Sequence, residues 1–134
     1  MKLNRVPILL GLLALIVATL ACGGSFSTAN ISEAWMASDV DGEIRTTVFS
    51  PGDDFYAFVD LSNAPDDTQL KAVWTGISIE GEEPNLVINE TEFTSGDGVV
   101  YFQLFNDQLW PAGSYKVEIY LNGELATTLN YEVQ

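Results

Sequence analysis

Tyr115-Lys116-Val117-Glu118-Ile119-Tyr120-Leu121-Asn122-Gly123-Glu124-Leu125-Ala126-Thr127-Thr128-Leu129-Asn130-Tyr131-Glu132-Val133 is the stretch that decides the fold. Tyr115, Val117, Ile119 and Leu121 alternate with Lys116, Glu118 and Tyr120. That period of two is the mark of a half-buried strand. Asn122-Gly123 suits a two-residue type I′ turn, in which both residues take positive φ. Leu125, Thr127, Leu129, Tyr131 and Val133 alternate on the return. Strand, tight turn and matching strand predict an antiparallel hairpin.

The same pattern recurs upstream, with almost no helical periodicity from Ile31 onward. Residues 31–38 form a candidate first strand, closed by the turn cluster 39–43. Residues 44–49 read as a short edge strand, stopped by Ser50-Pro51-Gly52-Asp53. Residues 55–61 place Phe55, Ala57, Val59 and Leu61 on one face and Tyr56, Phe58 and Asp60 on the other. In residues 70–79, Leu70, Ala72 and Trp74 share a face, Lys71 points away, and Gly76 marks a candidate bulge. Residues 86–93 are polar, as expected of an edge strand. Residues 99–105 put Val100, Phe102 and Leu104 opposite Tyr101, Gln103 and Phe105. Short strands at this spacing, separated by turn clusters, predict an all-β chain of about seven to eight antiparallel strands, a sandwich or a barrel.

The pattern over residues 31–134 resembles an immunoglobulin-like or fibronectin-III-like sandwich. Trp74 stands where such domains bury a tryptophan in a central strand. Tyr115, after Pro111-Ala112-Gly113-Ser114, stands where they carry a corner tyrosine. The cysteine pair of antibody domains is absent. Trp110-Pro111-Ala112-Gly113-Ser114-Tyr115, running into Val117, Tyr120 and Asn122-Gly123, is similar to the terminal hairpins of small Ig-like domains in bacterial envelope lipoproteins. That resemblance implies a binding, adhesion or assembly module.

The amino terminus carries a separate message. Lys2 and Arg5 precede an apolar run over residues 6–17, and Ala18-Thr19-Leu20-Ala21-Cys22-Gly23-Gly24 follows. A basic start, a short apolar stretch and a small residue before a cut describe a secretory signal. The run is shorter than the about 20 apolar residues of a membrane-crossing helix. Cys22, the one cysteine in the sequence, directly follows the small residue, and the arrangement resembles a bacterial lipobox. The resemblance implies cleavage after residue 21 and acylation of Cys22, which then becomes the first residue. Diacylglycerol on the thiol and an acyl chain on the amine supply the several chains that stable anchoring requires. Residues 1–21 are thus expected to be a lipoprotein signal peptide, 22–30 a lipidated tether and 31–134 the sandwich. The expected location is the cell envelope, on the outer side of a bacterial membrane; inner, outer or single membrane stays open.

Charge narrows the partners. After Cys22 only Arg45, Lys71 and Lys116 stand against all 19 acids. Such a body repels phosphate backbones, so nucleic-acid binding is not expected. The chain has no histidine, so a Ser-His-Asp triad and histidine proton relays are absent. With Cys22 taken as the anchor, thiol catalysis and a cysteine zinc site fall away too. No glycine-rich phosphate loop opens a helix. The reading is a non-enzymatic protein without a cofactor.

Three candidate sites remain. Asp39-Val40-Asp41-Gly42-Glu43 has the alternating acids and glycine of an incomplete calcium loop, so Asp39, Asp41 and Glu43 are a calcium alternative. The twelfth position from Asp39 is Ser50, not the glutamate a complete loop needs. Trp35, Trp74 and Trp110 could stack on sugars if exposed. Tyr56, Phe58, Tyr101, Phe105 and Tyr120 fall opposite the core faces, and together they would make an exposed apolar patch. The expected function is a lipid-anchored module that binds a protein or an extracellular ligand through Tyr56, Phe58, Tyr101, Tyr120 and Trp110. The alternatives are a carbohydrate-binding or carbohydrate-active envelope protein, and a structural spacer.

Overall fold

The computed structural model describes residues 28–134. Cys22 and the expected signal peptide lie outside the described residues. Eight strands appear in chain order: β1 (Asn30–Ala37), β2 (Val48–Phe49), β3 (Phe55–Ser62), β4 (Thr68–Ile79), β5 (Leu86–Ser95), β6 (Gly98–Leu104), β7 (Gly113–Leu121) and β8 (Glu124–Val133). They form two sheets, ordered β1-β3-β6 and β2-β8-β7-β4-β5. This is an all-β sandwich, one of the two arrangements that the alternation predicts. Among the described residues no helix is long and apolar enough to cross a membrane.

The alternating residues meet between the sheets. Phe55, Ala57, Val59 and Leu61 of β3 and Phe102 and Leu104 of β6 face Leu70, Ala72 and Trp74 of β4, Val117 and Ile119 of β7 and Tyr131 of β8. Full burial of one such large side chain stabilises by about 1.5–3 kcal/mol. One end of this core is aromatic. Tyr115 and Tyr131, cross-strand partners, stack with ring centroids 5.3 Å apart. Phe55 meets Tyr131 at 4.8 Å and Trp110 at 4.7 Å. The Tyr115 hydroxyl donates to the Pro111 carbonyl at 2.5 Å, the contact expected of a corner tyrosine. Trp74 is fully buried.

The turn chemistry follows the sequence closely. Asn122 (φ 50°) and Gly123 (φ 85°) make the β7–β8 turn. Asn122 also ties the turn to β4: its amide donates to the Gln69 carbonyl at 2.8 Å, and its Oδ1 accepts from the Gln69 amide at 3.0 Å. The β4–β7 register slips between Gly76 and Ser78, so the bulge lies at the expected glycine.

Three expectations are corrected. The edge strand over residues 44–49 shrinks to β2, because Arg45 bridges back to Ala37 and only Val48–Phe49 reach β8. β2 runs parallel to β8, so the strands are not all antiparallel. In β8 the register slips opposite Ile119 and Tyr120, leaving Ala126 unpaired. That bulge turns Leu125 away from the core and leaves it exposed.

The two ends of the sandwich differ. The chain enters β1 beside Ser62, at the end that carries the 63–67, 96–97 and 122–123 turns. Loops 50–54, 80–85 and 105–112 and the carboxyl terminus lie at the other end.

Candidate binding face

The outward residues of β1, β3 and β6 build a layered face. Cross-strand registers give three rows: Glu33–Asp60–Val99, Trp35–Phe58–Tyr101 and Ala37–Tyr56–Gln103. The middle row and Tyr56 of the third form an aromatic cluster. Trp35 stacks on Phe58 at 5.3 Å, Phe58 meets Tyr101 at 5.3 Å, and Tyr56 meets Tyr101 at 5.8 Å. Gln103 Nε2 donates to the Tyr56 hydroxyl at 3.1 Å. Burial raises the Tyr56 pKa, and the charges of Asp54 and Asp39 push it the same way.

A loop covers part of this face. Residues 38–45 fold back so that Gly42 lies against the Phe58 ring, where an added Cβ would come within 2.9 Å of it. The Trp35 indole donates to the Gly42 carbonyl at 3.2 Å. Arg45 sets its guanidinium 4.0 Å over the Trp35 ring and pairs with Glu33. Phe58 therefore reaches Trp35 from β3, and Arg45 reaches it from the opposite edge of β1.

These contacts correct the single exposed patch drawn from the sequence. Tyr56 and Phe58 are only 8% and 4% exposed, because the loop shields the centre of the sheet. Tyr101, at the rim, is 43% exposed, and Phe105 beyond it is 66% exposed. Tyr120 is not contiguous with them. It lies on the outer face of the other sheet, with the Lys71 ammonium 4.6 Å over its ring and Leu125 beside it. Trp110 is 7% exposed. Its indole donates to the Asp53 carbonyl at 3.0 Å, and its amide donates to the Pro51 carbonyl at 2.8 Å. It fastens two loops and closes the core rather than presenting a surface.

The calcium alternative is corrected as well. Asp39 uses both carboxylate oxygens inside its own turn, accepting from the Glu43 amide at 3.2 Å and the Ile44 amide at 2.8 Å. Among the described residues no three acidic, cysteine or histidine side chains gather as metal ligands. Sugar stacking also loses its platforms: Trp74 and Trp110 are buried, and the half-buried Trp35 ring is engaged by Phe58 and Arg45.

No family model matches the sequence, and no curated protein matches it either. Solved structures match the shape. An immunoglobulin-like protein of Pseudomonas aeruginosa superposes with a TM-score of 0.54 at 13% identity, covering 83% of this chain and all of that one. The fold is immunoglobulin-like. Part of an alkylpurine DNA glycosylase of Pseudomonas fluorescens superposes with a TM-score of 0.51 at 13% identity. That match covers 81% of this chain but only 31% of the glycosylase. At such identity both likenesses concern fold alone.

Sequence reasoning missed Arg45, the one base on this side of the sandwich, and the cover made by its loop. Gly42 three residues before Arg45, the one base in an acidic turn, was the available signal. Alternation alone cannot reveal a loop lying across a face.

Proposed function

We propose that this protein is a lipid-anchored, non-enzymatic interaction module of the cell envelope. In this reading Cys22 carries the lipid, and the outer face of the β1-β3-β6 sheet meets a protein or extracellular partner. The observation that supports it most is the exposed apolar row Val99, Tyr101 and Phe105, next to a buried aromatic base that keeps the rim rigid. Exposed aromatics backed by packed neighbours are the usual anchors of protein interfaces.

The tether adds an orientation. From Cys22 to Asn30 an extended chain spans at most about 29 Å. Its entry point shares an end with the Asn122–Gly123 turn. The tight-turn end thus faces the bilayer, and loops 50–54, 80–85 and 105–112 face outward.

The test combines two readouts on intact cells. Mass spectrometry of the amino terminus is expected to find acylated Cys22. A photo-crosslinking residue at Tyr101 is expected to trap a discrete partner, while one at Thr128 does not. An unmodified Met1 terminus in cytosol would remove the anchor. Silence at both crosslinking positions would favour the spacer alternative.

A further inference from the structure

We infer that the free edge of β6 is a strand-addition site for an extended, basic segment of a partner protein. This rests on the interaction role proposed above and specifies its mode.

The sandwich has four long strands with an open side, and three of them are protected. β1 bulges between Ile31 and Glu33, carries Glu33 and is bridged by Arg45. β8 bulges at Ala126 and is capped by β2 at Glu132 and Val133. β5 has a register break opposite Trp74 and Thr75 and carries Glu90 and Glu92. Bulges, charges and covering segments are the devices that stop an edge from pairing. β6 has none of them. It pairs with β3 in unbroken register over all seven residues, and Gly98-Val99-Val100-Tyr101-Phe102-Gln103-Leu104 contains no charge and no proline.

The layer opposite is also wider. β6 is the last strand of a three-stranded sheet, and β5 is the last strand of the five-stranded sheet packed against it. Phe93 of β5 reaches Phe102 of β6 at 4.8 Å, but Thr91 and Asn89, which share its inward register, remain exposed. A fourth strand hydrogen-bonded to β6 would lie over those residues and complete the layer. Its other face would continue the row of Val99, Tyr101 and Gln103.

Charge selects the occupant. Asp60 pairs across from Val99, Asp54 sits beside Gln103, and Asp97 precedes the strand. None of the three bases after Cys22 faces this edge. Arg45 is across β1, while Lys71 and Lys116 pair within the outer rows of the other sheet, over Tyr120 and beside Glu118. A second copy would bring like charges together, whereas a lysine- or arginine-bearing strand would relieve them.

The test uses the full chain in mild non-ionic detergent and two synthetic decapeptides, one alternating lysine with valine and one alternating glutamate with valine. Hydrogen exchange at single-residue resolution is the readout. The basic peptide is expected to slow the β6 amides that point away from β3 at least tenfold, and less as salt rises. Val99→Lys is expected to abolish that protection with an unchanged melting temperature. If Val99→Lys fails to fold, Gln103→Lys at an exposed polar position makes the same test. Four results would overturn the inference: no β6 protection, equal protection by the acidic peptide, no effect of the edge lysine, or protection that grows with the chain's own concentration alone. A partner crosslinked at Tyr101 without β6 protection would leave the interaction role standing and remove strand addition.

Discussion

Tyr115 and Tyr131 offer one chemical change with two opposite outcomes. They are cross-strand partners with rings stacked 5.3 Å apart, and both are buried. The Tyr115 hydroxyl donates to Pro111. The Tyr131 hydroxyl is buried with no hydrogen-bond partner among the described residues. Tyr115→Phe removes a made bond and strands the Pro111 carbonyl, which costs about 1–2 kcal/mol. Tyr131→Phe removes a polar atom that was desolvated without compensation, which stabilises by about 1 kcal/mol after the small void is discounted. The two variants, each lacking one oxygen, should therefore differ by about 2–3 kcal/mol. In a domain of this size 1 kcal/mol moves the midpoint by roughly 4–8 °C, so their melting temperatures should stand about 10 °C apart. Urea unfolding followed by tryptophan fluorescence measures both, with the slope unchanged if only the native contact is altered. Equal destabilisation by the two changes would refute the reasoning, because it would mean that the Tyr131 hydroxyl has a partner.

Gly42→Ala should cost about 1–2 kcal/mol, since the residue has φ +70° and an added Cβ would press on the Phe58 ring. Increased binding of a hydrophobic dye should accompany the lower melting temperature, and an unchanged midpoint would mean that the loop is not seated on Phe58. Stability should also fall at high pH. Burial pushes the Tyr115 pKa up to about 12 and raises that of Tyr131 further, whereas both sit near 10 when unfolded. The unfolded chain therefore loses protons that the folded one keeps, so stability is full below about pH 10 and declines as pH climbs toward 12. Urea midpoints from pH 8 to 11.5 should show this decline, and Tyr115→Phe with Tyr131→Phe should flatten it; a flat wild-type profile would contradict the burial of these rings.

Much of the fold was legible because it is local. Asn122-Gly123 set the turn, since few residues accept positive φ, and the flanking alternation then paired β7 with β8. Trp74 could be read as core because its strand leaves one apolar face, and Tyr115 as a corner because the resemblance to Ig-like domains placed it there. Leu125 could not. Its place in the alternation was regular, and only the unpaired Ala126 turned it outward. A bulge depends on what the partner strand needs, so it has no signature in one strand.

The binding face was half legible. Alternation placed Tyr56, Phe58 and Tyr101 on the side away from the core, and the structure keeps them there as one cluster. It could not show that loop 38–45 would bury two of them, or that Tyr120 belongs to the other sheet. Because Trp110 lies in a loop, the sequence leaves it open as a contact, and in the fold its indole and amide both find backbone carbonyls.

Side-chain order along the chain therefore determined which residues point together, since successive residues of a strand must face opposite ways. It also carried the charge imbalance and the basic-then-apolar pattern of the amino terminus, which need no fold to exist. Tertiary structure alone decided which faces stay open: it laid a loop over the aromatic centre, closed three edges and left β6 bare beside the wider sheet. Exposure depends on what arrives from distant parts of the chain, and no local pattern encodes that.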